Sequence, residues 1–201
     1  SRAAKKVNLY AGMRRGGSNY YAFDVTSKNS PKLKWAIKGA YNPESEITPG
    51  FEKLGLTFSA PKLAEINVSG KRTKVLIFTG GYDKKHDEIE DNYPKDDEVG
   101  NSLYIVDAES GKLLWRVSDG RDEDADLEIY DMKNSMPATP TLVDINGDGL
   151  TDIIYASDLR GQIFRFDINN EVKEGLGKAV TGMVLAKVGG FTKKDNRRFF
   201  N

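Results

Sequence analysis

The chain has 201 residues, of which 38% are hydrophobic and 30% charged, so it can form one sizeable globular domain and is too polar to span a bilayer. Lys plus Arg equals Asp plus Glu at 30 each, and the resulting zero net charge excludes electrostatic attraction of the whole domain to nucleic acid or acidic lipid. Cysteine is absent and His86 is the single histidine, which excludes disulfide scaffolds, thiol nucleophiles and metal sites built on several imidazoles.

Short alternating or apolar runs, bounded by Gly, Pro, Asp and Asn, recur along the chain, and none keeps a helical period for long. This pattern predicts an all-β fold. The predicted strands, in chain order, are residues 7–11, 19–24, 33–37, 60–66, 74–79, 102–107, 113–117, 139–144, 152–157, 162–167 and 182–188.

The predicted strands repeat in a recognisable order. The segments 59–63, 74–78 and 102–107 have the same order as 139–142, 152–155 and 162–167, and a partial third copy begins at 19–24. Successive units of about four antiparallel strands are typical of β-propeller blades, here lengthened by loop insertions. We therefore expect residues 1–201 to form part of one propeller domain with an incomplete set of blades. The chain lacks an initiator Met and a visible export signal, so we also expect a fragment of a larger protein.

A turn at residues 107–115 predicts how one blade contacts the next. Asp107 and Ser110 can close a turn in which Gly111 has a positive φ, after which Trp115 can pack against the neighbouring blade. The segment resembles the D-x-x-T-G-x-x-x-W docking element of quinoprotein-type propellers. We interpret it as a structural clasp. A quinone-dependent oxidoreductase is the alternative, although the motif itself carries no chemistry and the chain lacks the Cys pair that resemblance to the alcohol dehydrogenases would require.

The strongest chemical signal is the segment 144–152, whose sequence is DINGDGLTD. Side-chain oxygens stand at loop positions 1, 3, 5 and 9, and hard divalent cations bind such clusters of oxygens. Glycine at position 6, Gly149, permits the sharp turn that directs the next carbonyl toward an ion. The predicted metal ligands are Asp144, Asn146, Asp148, the Leu150 carbonyl and Asp152, with water completing the shell.

Calcium is the predicted ion, because several oxygens on a flexible loop suit its longer coordination distances better than the tight octahedron of magnesium. An EF-hand is excluded, since Tyr155 stands where the bidentate Glu would be and the flanking segments are predicted strands. An Asx-rich hairpin turn without an ion is the alternative interpretation of this segment.

Three other charged segments are further candidates for a functional site. Residues 87–98 and 122–128 are acidic and predict solvated loops, and the second lacks a glycine at the sixth position, where Leu127 stands, so a second metal site there is disfavoured. Residues 12–18 contain two arginines among glycines and predict a hairpin turn, because the phosphate-loop spacing and a following helix are both missing.

Five segments of the chain form one ordered set of motifs, residues 12–24, 80–83, 104–108, 138–152 and 196–200. Together they resemble the C-terminal propeller of the PilC/PilY proteins, and the resemblance covers nearly the whole chain. The resemblance implies an exported protein at the type IV pilus tip, the cell surface or the outer envelope, which is not an enzyme. It further implies a role in pilus biogenesis, twitching motility and adhesion. Carried over by position, the family's calcium ligands fall on the five residues named above.

The sequence thus predicts a calcium-binding β-propeller from a type IV pilus tip or assembly protein, in which calcium acts as a structural switch. The partners implied by the resemblance are pilus subunits or minor pilins, the pilus assembly machinery and the host-cell surface, with no nucleic acid and no membrane-spanning segment. The alternatives are the quinone-dependent oxidoreductase and a generic secreted binding module stabilised by calcium.

Overall fold

A computed structural model describes residues 5–87, 96–122 and 124–189. The described strands are β1 Asn8–Gly12, β2 Asn19–Asp24, β3 Lys32–Lys38, β4 Lys62–Val68, β5 Lys71–Thr79, β6 Ser102–Asp107, β7 Leu113–Ser118, β8 Leu127–Glu128, β9 Thr141–Val143, β10 Ile153–Ser157, β11 Gln162–Ile168 and β12 Val180–Lys187. One short α-helix, α1 Leu176–Ala179, precedes the last strand, and 3-10 turns lie at Arg14–Gly16, Glu44–Glu46 and Lys84–Asp87.

The strands form three sheets in chain order. The first sheet has the order β1-β2-β3, the second β4-β5-β6-β7-β8 and the third β9-β10-β11-β12. Neighbouring strands pair antiparallel except β7 and β8, which are parallel. Each sheet is therefore essentially a meander, as expected for propeller blades.

The three sheets stack face to face and enclose two apolar layers. One layer joins the first and second sheets and the other joins the second and third. Alternate residues of β5 enter different layers, with Ile77 in the layer against the third sheet and Phe78 in the layer against the first. Burial on both faces explains why β5 and β6 each contain a continuous apolar run.

The all-β prediction is confirmed, and every predicted strand overlaps an observed one. The described sheets do not close into a ring, which agrees with an incomplete set of blades. The largest boundary error concerns β5, which begins at Lys71 rather than at residue 74. Ser69 and Gly70 both have positive φ and form a tight hairpin between β4 and β5, so the charged, exposed residues that follow are already paired.

Two described elements were not predicted. The strand β8 has two residues and α1 has four, so neither is long enough to produce a hydrophobic period in the sequence. Their positions depend on the sheets beside them. The backbone of β8, for example, lies alongside the end of β7.

Candidate metal-binding loop

Residues 144–152 form the connection between β9 and β10 in the third sheet, where the sequence places them. The base of the loop is closed by the pairing of Val143 with Ile153 and by the Asp152 N–H, which donates to the Val143 carbonyl at 2.9 Å. The Leu150 side chain is buried and anchors the loop, while the residues from Asp144 to Gly149 are exposed. The loop is therefore open to solvent and fixed at its carboxyl-terminal end.

The four predicted ligand side chains all accept hydrogen bonds from backbone N–H groups of the loop. Asp144 accepts from Gly147 at 2.7 Å and from Gly149 at 2.8 Å, one bond on each carboxylate oxygen. The remaining bonds run from Asp148 N–H to Asn146 Oδ1, from Leu150 N–H to Asp148 Oδ1, and from Ile145 N–H to Asp152 Oδ2, at 2.7–2.9 Å. These side chains thus belong to one compact turn.

Glycine is required at two positions of this turn. Gly147 has φ 78° and Gly149 has φ 84°, both in the left-handed region that L side chains rarely adopt. The sharp bend that the sequence predicts at Gly149 is therefore confirmed. The Gly149 N–H, followed by other loop amides, holds the pKa of the Asp144 carboxyl below its ordinary value.

The donor set suits a hard divalent cation. Three carboxylates and one carboxamide lie within nine residues, and all offer oxygen atoms. Within the described ranges, no three His, Cys, Asp or Glu side chains are gathered closely enough to hold one ion. The carboxylate oxygens are instead turned toward loop amides, an arrangement that an ion-free Asx-rich turn also forms. Calcium ligation by Asp144, Asn146, Asp148, Leu150 and Asp152 stays a prediction.

The second sheet contacts this loop through its first hairpin. The Glu65 carbonyl on β4 accepts from the Thr151 N–H at 2.9 Å. Arg72 on β5 pairs with the Glu65 carboxylate and donates from Nη1 to the Asp148 carbonyl at 3.2 Å. A Cβ at Gly149 would lie 2.6 Å from Arg72 Nη2, so the guanidinium would have to move to admit a side chain at loop position 6.

Asn170, which follows β11, provides a further contact with the loop. Its Nδ2 donates to the Thr151 carbonyl at 3.1 Å and to Asp152 Oδ1 at 3.2 Å, and its Oδ1 accepts from the Asn67 N–H at 2.9 Å. Sequence reasoning missed Asn170 and Arg72, because nothing in their neighbouring residues indicates a role at a distant loop.

The acidic run 87–98 was predicted to be a solvated loop, and of its described acids Asp87, Asp96 and Glu98 are exposed whereas Asp97 is not. Residues 88–95 lie outside the described residues. Asp97 is buried, accepts from the Ser135 N–H at 2.6 Å and lies 2.9 Å from His86 Nε2. The prediction was wrong for Asp97, because a carboxylate can be buried when hydrogen bonds satisfy it.

In the acidic run 122–128, Asp124, Asp126 and Glu128 are exposed, as expected of a solvated loop, whereas Asp122 is partly buried beside an arginine. Arg116 on β7 is only 5% exposed, and its Nη2 lies 2.9 Å from Asp122 Oδ1. The backbone N–H of Arg116 donates to Asp126 Oδ2 at 2.9 Å. Asp122 is thus a counter-charge for a buried arginine, and Asp126 accepts from the backbone of that arginine. Glu123 lies outside the described residues.

Two structural predictions are confirmed. Residues 12–18 connect β1 to β2 as a hairpin containing a 3-10 turn at Arg14–Gly16. In the clasp, Asp107 Oδ1 accepts from the Ser110 N–H and Oγ, both at 2.7 Å, and Gly111 has φ 74°. Trp115 is fully buried and lies edge-on to Phe166 of the third sheet, with ring centroids 6.1 Å apart. The clasp therefore joins two sheets, as expected.

Among the described residues, no helix is long and apolar enough to cross a membrane.

Comparison with known proteins adds three findings. The family model for the PilY1 beta-propeller domain matches residues 2–187. Type IV pilus biogenesis factor PilY1 of Pseudomonas aeruginosa strain PAO1 is 29% identical over 164 residues, covering 80% of this chain and 11% of that protein. The PilY1 homolog of Xylella fastidiosa is 24% identical over 196 residues, covering 91% of this chain and 12% of that protein. The chain thus spans about a tenth of the length of these relatives.

A solved structure is also similar. The C-terminal domain of Pseudomonas aeruginosa PilY1 matches with a TM-score of 0.57 and 24% identity, covering 86% of this chain and 32% of that chain. This likeness concerns the fold, and it agrees with a stack of blades that forms part of a propeller. The segment 196–200, one of the five used for the resemblance, lies outside the described residues.

Proposed function

The chain belongs to the PilY1 β-propeller family, and we propose that it is a calcium-binding part of the propeller of a type IV pilus biogenesis factor. The family match across residues 2–187 carries this proposal, together with curated relatives that are named type IV pilus biogenesis factors. We place the parent protein outside the cell, at the pilus or the cell surface. Pilus subunits, minor pilins or assembly machinery are its proposed partners, and twitching motility and adhesion its proposed consequences.

Calcium has a structural task in this proposal. Asp144, Asn146, Asp148, Asp152 and the Leu150 carbonyl would hold the ion, which would supply positive charge to three neighbouring carboxylates. The loop lies between two strands of a sheet and is exposed, so its residues are suited to shaping a surface. We propose that this surface contacts pilus components and that no enzymatic reaction takes place at the loop.

The loop is suited to a switch because its carboxyl-terminal end is anchored more firmly than the residues before it. The carboxyl-terminal end is held by buried Leu150 and by the Thr151 bond to the second sheet, whereas Asp144 to Gly149 are exposed. An ion bound by ligands from both parts of the loop would hold the exposed residues, Asp144 to Gly149, against the anchored carboxyl-terminal end. The strands β9 and β10 pair through backbone bonds that do not involve the ligand side chains, so the sheet should persist without the ion.

The experiment replaces the parent gene in its own bacterium with the Asp144→Ala variant. We expect wild-type amounts of exported protein and altered surface piliation or twitching. The matched control is Asp124→Ala in the acidic run 122–128, because the Asp124 side chain is 94% exposed and lies 4.0 Å from Arg116, at the limit of an ion pair. Normal piliation and twitching, with calcium loss confirmed in vitro, would overturn the switch. Unchanged piliation and twitching after deletion of the whole gene would overturn the pilus role itself.

A further inference from the structure

We propose that Asn170 is a positioning residue that holds Asp152 for calcium and thereby couples the loop to the second sheet, an inference that rests on the calcium binding proposed above. Asp152 occupies the last position of the loop, immediately before β10. Its carboxylate has two described partners, the Ile145 N–H on Oδ2 and the Asn170 Nδ2 on Oδ1. One partner lies inside the loop and the other lies outside it.

The orientation of the Asn170 amide follows from the chemistry of its neighbours. The Asn67 N–H can only donate, so the Asn170 atom that faces it must be Oδ1. The Asp152 carboxylate and the Thr151 carbonyl can only accept, so the atom that faces them must be Nδ2. A flipped amide would lose all three bonds. Asn170 therefore presents a donor to Asp152 in one defined arrangement.

Asn170 is in turn fixed by the second sheet. The Asn67 Nδ2 donates to the Asn170 carbonyl at 2.9 Å, so Asn67 and Asn170 bind each other through two hydrogen bonds. Asn67 lies on β4, next but one to Glu65, whose carbonyl accepts from the Thr151 N–H. The second sheet thus holds the closing end of the loop at two adjacent points.

The contacts of Asn170 and Arg72 with the loop have different consequences. Arg72 and Glu65 reach loop backbone atoms, whereas Asn170 reaches a carboxylate oxygen predicted to be near the ion. Asn170 is also neutral, so it orients the carboxylate without the repulsion that a cationic side chain would exert on calcium. Hydrogen-bond partners of ligating groups typically contribute 10- to 100-fold to metal affinity.

This arrangement predicts coupling in both directions. Binding of calcium by Asp152 should restrain Asn170, and with it the bonds between the loop and β4. Conversely, loss of Asn170 should leave the Asp152 carboxylate held by the Ile145 N–H alone, so that calcium binding must restrict a more mobile side chain. The Thr151 N–H reports on this coupling through its bond to Glu65, and the comparison uses the change that calcium causes in its exchange, because Asn170 also contacts the Thr151 carbonyl.

The test compares Asn170→Ala with Asn169→Ala in the full-length protein. Asn169 is a matched control, because it has the same side chain in the same turn and its Oδ1 accepts from the Glu171 N–H instead. Calcium titration calorimetry should show at least about tenfold weaker binding at the loop in Asn170→Ala, and unchanged binding in Asn169→Ala. The loop component is the part of the heat of calcium binding that the wild type shows and the Asp148→Ala variant does not.

A second measurement follows hydrogen exchange of peptides that contain Thr151, with calcium and with chelator. We expect calcium to slow this exchange in the wild type and in Asn169→Ala, and to have little effect in Asn170→Ala. Equal affinity and equal calcium-dependent protection in Asn170→Ala would overturn the role of Asn170 and leave calcium binding intact. Absence of a loop component in the wild type would overturn both proposals. If Asn170→Ala does not fold, Asn170→Ser is judged by the same two measurements.

Discussion

Gly111 lies against the indole ring of Trp35, so closely that a Cβ at Gly111 would be 2.7 Å from Trp35 Cδ2. The Trp35 Nε1 donates to the Ala108 carbonyl of the same turn at 3.3 Å. The turn between β6 and β7 therefore contacts the first sheet through Gly111, while Trp115 just after it packs against the third sheet. One short segment joins the second sheet to both of its neighbours.

Gly111→Ala should destabilise the protein for two reasons. The residue has φ 74°, which costs an L side chain about 1–2 kcal/mol, and the added methyl would overlap Trp35, at about 1–3 kcal/mol for overpacking. Gly70→Ala is the matched control, because Gly70 has φ 78° and its Cβ would meet only the flexible Lys173 side chain, at 3.4 Å. Denaturant unfolding should show a clearly larger loss for Gly111→Ala. Equal losses would mean that the contact with Trp35 contributes nothing.

Asp148→Ala should abolish calcium binding at the loop. Asp148, at position 5, supplies one of the three carboxylates of the predicted site. The wild type is expected to bind calcium with a Kd between about 10⁻⁶ and 10⁻³ M, as calcium sensors and extracellular modules do. Titration calorimetry measures the change, with Asp124→Ala as the control that removes an exposed carboxylate elsewhere. If Asp148→Ala binds calcium like the wild type, the site lies outside residues 144–152.

Chelator should lower the melting temperature of the wild type. An ion that binds only the folded protein adds about 2.7 kcal/mol to the free energy of unfolding at a hundredfold excess over Kd. Asp152→Ala should melt at nearly the same temperature with and without chelator, because the ion no longer binds. Scanning calorimetry of the two proteins provides the comparison. The same chelator-induced shift in both would show that another site stabilises the fold.

Arg116→Ala should cost about 3–5 kcal/mol of stability, the usual result of removing one partner of a buried ion pair. The variant leaves the Asp122 carboxylate, which is only 13% exposed, without its counter-charge. Arg165→Ala is the control, because the Arg165 and Asp167 side chains are 34% and 38% exposed and such pairs contribute about 1 kcal/mol or less. Denaturant unfolding distinguishes the two. Similar small losses of stability in the two variants would mean that the pair of Arg116 with Asp122 contributes no more than an exposed ion pair.

Local patterns in the sequence were sufficient to predict the longer strands and the position of the candidate loop. The apolar runs of β5 and β6 produce strands because each residue is buried on one face or the other, a property of the residue and its neighbours. Gly111 and Gly149 have the positive φ that their turns require, which is also decided within a few residues. For the same reason nine consecutive residues are enough to predict a ligand set, which stays a prediction.

Only the tertiary structure decided which side chains support that loop and which acids are buried. Arg72 and Asp148 are 76 residues apart, and Asn67 and Asn170 are 103 apart, so their contacts depend on the stacking of the second sheet against the third. Asp97 and Asp122 occur in runs that look solvated in the sequence, yet Asp97 is buried and Asp122 partly buried, because Ser135 and Arg116 reach them from other strands and loops. A polar side chain carries no local sign of its partner, since hydrogen bonds and ion pairs form wherever the packed sheets bring complementary groups within reach.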